Sequence, residues 1–111
     1  MKILILGAGK MGSFFVDLLS FEHTTAVYDI DPKRLRFMYN TERFTTLEEI
    51  AEFKPELVIN AVTLKYTLDV FKQVMPYLPS DCILSDISSV KTGLREFYEQ
   101  CGRRYVSTHP M

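Results

Sequence analysis

Cysteine and net charge are both scarce in this sequence, and their scarcity excludes several kinds of protein. The two cysteines, Cys82 and Cys101, belong to no Cys-x-x-Cys or Cys/His pattern, so we expect two free thiols in a reducing compartment and no metal site. The 13 basic and 14 acidic residues leave a formal net charge of -1. This balance gives no electrostatic basis for binding nucleic acid or an anionic membrane.

Long apolar runs are also missing. Lys2 is followed by only four apolar residues before the first glycine, too few for a signal-peptide core of about 7–15 residues or a membrane span of about 20. No Pro/Ser-rich linker or low-complexity tract divides the chain. We therefore expect a cytoplasmic protein with one domain over residues 1–111, in which 47% hydrophobic residues supply an ordinary core.

Glycine is sparse but concentrated near the start of the chain. Gly7, Gly9 and Gly12 follow the apolar segment 3–6 and precede a helical pattern, which is the context in which G-x-G-x-x-G binds a dinucleotide. Gly7 permits the tight turn, Gly9 lets a pyrophosphate approach the backbone, and Gly12 lets the helix pack closely on the strand. The free N–H groups and positive dipole end of the new helix favour an anion. The predicted cofactor-binding residues of this segment are Gly7, Ala8, Gly9, Lys10, Met11 and Gly12.

An acidic residue completes the pattern. Asp29 ends the apolar segment 25–29, twenty positions after Gly9, where dinucleotide-binding domains place the carboxylate that binds the adenosine ribose. That carboxylate would repel a 2′-phosphate, so the sequence predicts NAD rather than NADP as the cofactor.

Three polar residues just after Asp29 leave alternatives open. Asp31 either contributes to ribose binding or caps the turn that begins at Pro32. Lys33 and Arg34 either weaken the exclusion of NADP or form a solvated face.

Strand-like and helix-like segments alternate along the whole chain. The predicted strands cover residues 3–6, 25–29, 43–45, 57–62, 82–86 and 104–107. The predicted helices cover residues 10–20, 32–38, 46–53, 66–78 and 90–100. Six strands joined by helical crossovers predict an α/β fold, a doubly wound parallel sheet with strand order 3-2-1-4-5-6.

Helical periodicity predicts which side of each helix is buried. In the first helix, the buried residues are expected to be Met11, Phe15, Leu18 and Leu19. In the helix over 66–78, they are expected to be Leu68, Phe71, Val74, Met75 and Leu78.

Ligands of doubly wound sheets bind beyond the carboxyl ends of the strands, near the point where strand order reverses. Ala61, Val62 and Thr63 leave the fourth strand beside the expected nicotinamide position and complete the predicted cofactor-binding set. His109 follows the sixth strand at the same edge and is either structural or catalytic, whereas His23 lies in a polar loop and is interpreted as structural.

Three segments together resemble the amino-terminal half of the prephenate dehydrogenase family over essentially the whole chain. They are Gly7-Ala-Gly-Lys-Met-Gly12 with Asp29, Asp86-Ile-Ser-Ser-Val-Lys91, and His109-Pro-Met111. The resemblance implies a Rossmann domain that binds NAD, in an enzyme of tyrosine biosynthesis that converts prephenate to 4-hydroxyphenylpyruvate and carbon dioxide. Arogenate dehydrogenase activity is the close variant.

The resemblance also assigns roles. The catalytic histidine of the family falls on His109 and its hydrogen-bonded serine on Ser89, while Lys91 either attracts substrate carboxylates or faces solvent. A second, helical domain of the family grips the substrate and forms a homodimer, and residues 1–111 do not include it. We therefore expect this chain to bind NAD and to oxidise prephenate negligibly.

Two other functions remain compatible with the sequence. A regulatory NAD-sensing domain would use the same glycine turn and Asp29, but would leave Ser89 and His109 without a purpose. A reductase for a different hydroxyacid or imine would also use both features of the cofactor site.

Overall fold

The computed structural model describes residues 1–29, 31–36, 41–62, 66–87 and 94–107. Within these ranges, six parallel strands form one sheet in the order β3-β2-β1-β4-β5-β6, which confirms the predicted topology. The strands are β1 Lys2–Leu6, β2 Thr24–Tyr28, β3 Glu42–Phe44, β4 Leu57–Asn60, β5 Ile83–Asp86 and β6 Tyr105–Ser107. The helices are α1 Lys10–Leu19, α2 Pro32–Leu35, α3 Leu47–Phe53, α4 Thr67–Val74 and α5 Leu94–Cys101, with a 3₁₀ helix at Met75–Tyr77.

Helices cover both faces of the sheet, and β1 shows this most directly. Leu4 and Leu6 belong to a core cluster that also contains residues of α3, α4 and α5, whereas Ile3 and Ile5 belong to a second cluster with residues of α1 and α2. Successive side chains of a strand point to opposite faces, so these four residues contribute to two cores. This double burial explains why β1 is continuously apolar instead of alternating.

The predicted buried face of α1 is partly wrong. Val16 is buried, and Phe15 and Leu19 are partly buried, but Leu18 is 59% exposed. At about 100° per residue, Leu18 lies about 200° around the helix from Val16, so both side chains cannot face the sheet. The side chain of Met11 lies outside the described part of the structure.

The predicted buried face of the helix over 66–78 is confirmed. Phe71, Val74 and Leu78 are buried, and Leu68 and Met75 pack partly buried against the same cluster. The regular helix ends at Val74 and continues as a 3₁₀ turn that contains Pro76. Proline lacks the N–H that another α-helical hydrogen bond would need, so its position accounts for this change.

Local hydrogen bonds fix the start of α3 as predicted. The Glu49 backbone N–H donates to Thr46 Oγ1 at 3.4 Å, and the Thr46 backbone N–H donates to Glu49 Oε1 at 3.2 Å. This reciprocal capping box satisfies two backbone donors at the helix start. Lys54 ends α3 in the left-handed conformation, with φ of 54°.

Most predicted boundaries differ from the observed ones by one or two residues. The second helix, predicted over 32–38, is observed at Pro32–Leu35, and residues 37–40 lie outside the described ranges. The last helix, predicted over 90–100, is described from Leu94 onward. None of the helices described is both long and apolar enough to cross a membrane.

Candidate functional site

The glycine turn brings α1 against β1 at very short range. Gly7 has φ of 96°, and its backbone N–H donates to the Tyr28 carbonyl at 2.8 Å. A Cβ atom added to Gly12 would lie 2.0 Å from the Gly7 carbonyl oxygen, far inside van der Waals contact. The predicted roles of these two glycines therefore match the observed geometry: Gly7 makes the turn and Gly12 allows the close packing of helix on strand.

Gly9 differs from these two glycines because the space beside it is open. A Cβ atom at Gly9 would meet no heavy atom of the described residues within 4 Å. Gly9 is the N-cap residue of α1, and no described side chain caps it. The first N–H groups of a helix need partners from outside the helix, and the positive end of the dipole favours an anionic one. The open space thus fits the approach of a phosphate group to the backbone.

Asp29 connects the glycine turn to the end of β2. Its Oδ2 accepts a hydrogen bond from the Ala8 backbone N–H at 3.0 Å, and its Oδ1 accepts one from the Asp31 backbone N–H at 2.9 Å. The residue is 9% exposed. Each carboxylate oxygen can accept a further hydrogen bond, so Asp29 retains capacity for ribose hydroxyls while it holds the turn.

Asn60 holds the residues that follow β4 and ends that strand earlier than predicted. Its Oδ1 accepts from the Val62 backbone N–H at 3.2 Å, and its Nδ2 donates to the Thr67 carbonyl at 2.9 Å. These bonds turn the chain away from the sheet, so the strand predicted over 57–62 ends at Asn60. The Thr67 hydroxyl closes the same loop by donating to the Val62 carbonyl at 3.2 Å. As a result, Ala61 and Val62 are held beside the glycine turn.

A cavity of about 480 Å³ lies between the glycine turn and the residues that follow β4. Its volume falls within the range of about 300–1,000 Å³ that is typical of small-molecule sites. Six lining residues come from the glycine turn, the end of β2 and the start of α2, namely Gly7, Gly9, Tyr28, Asp29, Asp31 and Arg34. The other six follow β4 or lie on α4, namely Ala61, Val62, Tyr66, Asp69, Val70 and Gln73.

Sequence analysis did not identify the α4 side of this cavity. Tyr66, Asp69, Val70 and Gln73 have the spacing i, i+3, i+4, i+7, which places them on one face of the helix. That face is adjacent to the predicted core face. The helical spacing of these four residues could be read from the sequence, but none of their residue types indicates a ligand.

The structure shows which of the alternative roles suit Asp31, Lys33 and Arg34. The Lys33 backbone N–H donates to Asp31 Oδ1 at 3.0 Å, so Asp31 caps α2, and Asp31 also lines the cavity. Arg34 lines the cavity, whereas Lys33 is exposed and does not. Arg34 Nε lies 4.0 Å from Asp31 Oδ2, so the two side chains form an ion pair at the cavity wall.

The hydroxyl groups of the buried residues Tyr28 and Tyr98 stay protonated. Burial raises the pKa of Tyr28, and the charges of Asp29 and Glu48 raise it further. Burial also raises the pKa of Tyr98, together with its hydrogen bond to Asp86 and the charge of that carboxylate. Both side chains are therefore neutral near pH 7.

Asp86 ends β5 and is fully buried, with 0% exposure. Tyr98 Oη donates to Asp86 Oδ2 at 2.5 Å, and the Tyr98 ring stacks on Tyr105 of β6 with centroids 4.4 Å apart. Asp86 also pairs in register with Ser107 at the end of β6. The described strand ends that precede Ser89 and His109 in the sequence are therefore neighbours in the sheet.

Several predicted site residues lie outside the described ranges. They are Thr63, Ser89, Lys91 and His109. Lys10 and Met11 belong to α1, but their side chains are likewise outside the description. The catalytic assignment of Ser89 and His109 stays a prediction.

The other histidine and the cysteines lie away from the cavity. His23 is half-buried in the connection from α1 to β2, and its Nδ1 has no hydrogen-bond partner among the described residues. Cys82 and Cys101 are free thiols. No group of three or more metal-ligating side chains occurs in the described ranges.

The strand order, the glycine turn and the carboxylate at the end of β2 together define a nucleotide-binding Rossmann domain. The family model described as prephenate dehydrogenase, nucleotide-binding domain, matches residues 19–111. The chain therefore belongs to this family, which confirms the predicted family and the predicted nucleotide-binding domain. No observation favours the regulatory alternative over a dehydrogenase domain.

Solved structures agree with this assignment. The prephenate dehydrogenase of Aquifex aeolicus, in complex with hydroxyphenyl propionate and NAD+, is 26% identical, with a TM-score of 0.86 over 100% of this chain and 42% of that chain. The Synechocystis arogenate dehydrogenase is 22% identical, with a TM-score of 0.84 over 99% of this chain and 41% of that chain. The 3-hydroxyisobutyrate dehydrogenase of Mycobacterium tuberculosis is 18% identical, with a TM-score of 0.80 over 96% and 39%.

At these identities, the second and third structures support the fold alone. This chain spans about two fifths of the length of the structures it matches. A comparison with curated protein sequences gives no match.

Proposed function

We propose that residues 1–111 form the NAD-binding domain of a cytoplasmic prephenate or arogenate dehydrogenase. The observation that carries this proposal is the cavity between the glycine turn and Asp29 on one side and α4 on the other, in a chain of this family. An enzyme site for a dinucleotide requires a place for the phosphates and a carboxylate for the ribose, and both lie on this cavity.

The described residues offer both the chemical groups and the open space that NAD binding requires. The open position at Gly9 and the start of α1 suit the pyrophosphate. Asp29 is held in place by two backbone donors and has lone pairs left for the ribose hydroxyls. Ala61 and Val62 complete the proposed set on the β4 side, together with Thr63, which is assigned from the sequence. Bound NAD supplies a hydride acceptor.

The proposed chemistry on the substrate uses Ser89 and His109, which are assigned from the sequence. A neutral imidazole, with a reference pKa of about 6.5, can accept a hydrogen bond from the ring hydroxyl of the substrate. Ser89 would orient that imidazole or contact the same hydroxyl. Loss of the ring carboxylate restores aromaticity, so a strong general base is unnecessary. The adjacent ends of β5 and β6, where Asp86 pairs with Ser107, are consistent with a shared role for these segments.

We further propose that the parts that grip the substrate carboxylates and form a homodimer lie outside residues 1–111. Support comes from the 42% share of the Aquifex aeolicus enzyme that this chain covers. Without those parts, substrate is neither positioned nor shielded from water, and both effects contribute strongly to enzymatic rates. The chain by itself should therefore bind NAD and turn over prephenate or arogenate negligibly.

Calorimetric titration with NAD, beside a turnover assay with both substrates, tests the proposal. Gly9→Val should abolish NAD binding without unfolding the chain, because it fills open space and Gly9 has an ordinary φ of -77°. Glu22→Val adds the same side chain beyond the other end of α1 and should bind NAD like the unmodified chain. Absence of NAD binding by the unmodified chain would refute the cofactor assignment. Rapid oxidation of either substrate by residues 1–111 would refute the proposal that turnover requires parts outside these residues.

The role of His109 requires a chain that also contains the substrate-binding part. In that context His109→Asn should reduce hydride transfer strongly and leave NAD affinity unchanged. An equal loss of NAD affinity would instead indicate that His109 has a structural role.

A further inference from the structure

We propose that the ion pair of Arg34 with Asp31 sets how strongly this site discriminates against dinucleotides that carry a 2′-phosphate. The inference rests on the proposed function, since it concerns the same NAD site. Asp31 neutralises a cation that could otherwise bind the extra phosphate, so the repulsion exerted by Asp29 is left unopposed.

Hydrogen bonds place this pair directly beside the carboxylate that we assign to the ribose. The Asp31 backbone N–H donates to Asp29 Oδ1 at 2.9 Å, and Asp31 caps the single helical turn that carries Arg34. Leu35, the next residue, is buried and anchors this turn in the core beside β1 and β2. The Arg34 backbone is thus fixed next to the ribose site, while its long side chain can change direction.

The charges explain why the pair matters. Asp29, Asp31 and Arg34 all line the cavity, so this side of it carries two carboxylates and one guanidinium. Arg34 and Asp31 side chains are 58% and 47% exposed, and their closest atoms are 4.0 Å apart. Exposed pairs of this kind are weak, so the guanidinium is easily released. The Asp31 carboxylate still offsets the charge of Arg34 at this wall, so a phosphate dianion there meets the unbalanced charge of Asp29.

Removal of the Asp31 charge should make the site more favourable to a 2′-phosphate. A guanidinium without a carboxylate partner binds phosphate strongly, because its planar donors match two phosphate oxygens. Asp31→Asn is the appropriate change, since asparagine caps helices as well as aspartate and would preserve the bond to the Lys33 N–H.

Lys33 provides a matched control. It has the same charge as Arg34, precedes it on the same helical turn and is exposed, but it does not line the cavity. If only the general positive charge of this turn mattered, Lys33 and Arg34 would be equivalent. If the position at the cavity matters, only Arg34 affects the affinity for NADP.

The experiment measures the dissociation constants of NAD and NADP by calorimetric titration for the unmodified chain and four variants. In Asp31→Asn, the affinity for NADP relative to NAD should rise about tenfold. The double variant Asp31→Asn/Arg34→Gln should lose this gain. Arg34→Gln alone should weaken NADP further, and Lys33→Gln should leave the ratio unchanged. Circular dichroism and the thermal shift produced by each dinucleotide confirm that every variant is folded.

An unchanged ratio in Asp31→Asn, or a gain that persists in the double variant, would overturn the inference while NAD binding itself stood. Equal effects of Lys33→Gln and Arg34→Gln would overturn it as well. If the folded, unmodified chain binds neither dinucleotide, the proposed function fails and this inference fails with it.

Discussion

The Asp29 carboxylate and the Ala8 backbone N–H are joined by a hydrogen bond of 3.0 Å across 21 residues of sequence. Ala8 is the middle residue of the glycine turn, and Asp29 follows the neighbouring strand. The acidic residue that marks a ribose site in the sequence therefore also holds the phosphate-binding turn against the sheet. One side chain serves the stability of the turn and the proposed contact with the cofactor.

This double role predicts that Asp29→Ala affects stability as well as NAD binding. The Ala8 N–H would be left buried without its partner, which should lower the free energy of unfolding by about 1–3 kcal/mol. Urea denaturation measures this loss, and calorimetric titration measures NAD affinity in the same preparation. Asp29→Asn keeps one acceptor oxygen and should lose less stability. If Asp29→Ala keeps its full stability, the bond to Ala8 is not structurally important.

Gly9 and Gly12, at the start of α1, should lose very different amounts of stability when each is replaced by alanine. Gly12→Ala places a Cβ atom 2.0 Å from the Gly7 carbonyl oxygen, so α1 must move and the free energy of unfolding should fall by about 2 kcal/mol or more. Gly9→Ala enters open space and should cost less than about 1 kcal/mol, as expected for an N-cap change from glycine. Thermal and urea unfolding of both variants test the difference. Equal stability losses would contradict the assigned packing.

Local patterns explain which parts of the site the sequence could predict. Gly7, Gly12 and Asp29 act through backbone geometry and one carboxylate, and these requirements depend on short-range order along the chain. The strand order was also predictable, because each crossover between parallel strands has a preferred hand and neighbouring elements tend to pack together.

Features that depend on tertiary packing were not predictable. The apolar pattern of α1 was ambiguous because Phe14, Leu18 and Phe21 give the exposed side of this region a second set of large apolar residues. Periodicity alone cannot decide between two such faces. The α4 side of the cavity was missed for a similar reason: Asp69 and Gln73 are ordinary surface residues until the sheet brings them opposite Asp29.

Asn60 offers a test of how the α4 side of the site is held. Its amide bonds both Val62 and Thr67, and it is 1% exposed. Asn60→Ala removes both bonds and leaves the Val62 N–H without its side-chain acceptor, so we expect a loss of about 1–3 kcal/mol in the free energy of unfolding. If the variant remains folded at low temperature, its NAD affinity should also fall, since Val62 is no longer fixed. Titration at 10 °C together with urea denaturation separates the two effects, and full stability would contradict the role of the amide.

Cys82 predicts a loss of stability in mild alkali. Burial is the main cause that raises the pKa of its thiol from the ordinary 9.0 to about 11; the charge of Arg103 opposes this rise, and that of Asp81 adds to it. The folded chain therefore retains a proton that the unfolded chain releases above about pH 9, so this contribution to stability is complete below pH 9 and declines as the pH rises toward 11. Urea denaturation between pH 8 and 10.5 should show a falling free energy of unfolding, and Cys82→Ala, which has no thiol to titrate, should show a shallower fall. Because the buried tyrosines release protons from the unfolded chain only near pH 10, the difference between the two proteins should be clearest between pH 9 and 10. If the free energies of unfolding of the two proteins fell in parallel with pH, the Cys82 thiol would not have the raised pKa that its burial implies.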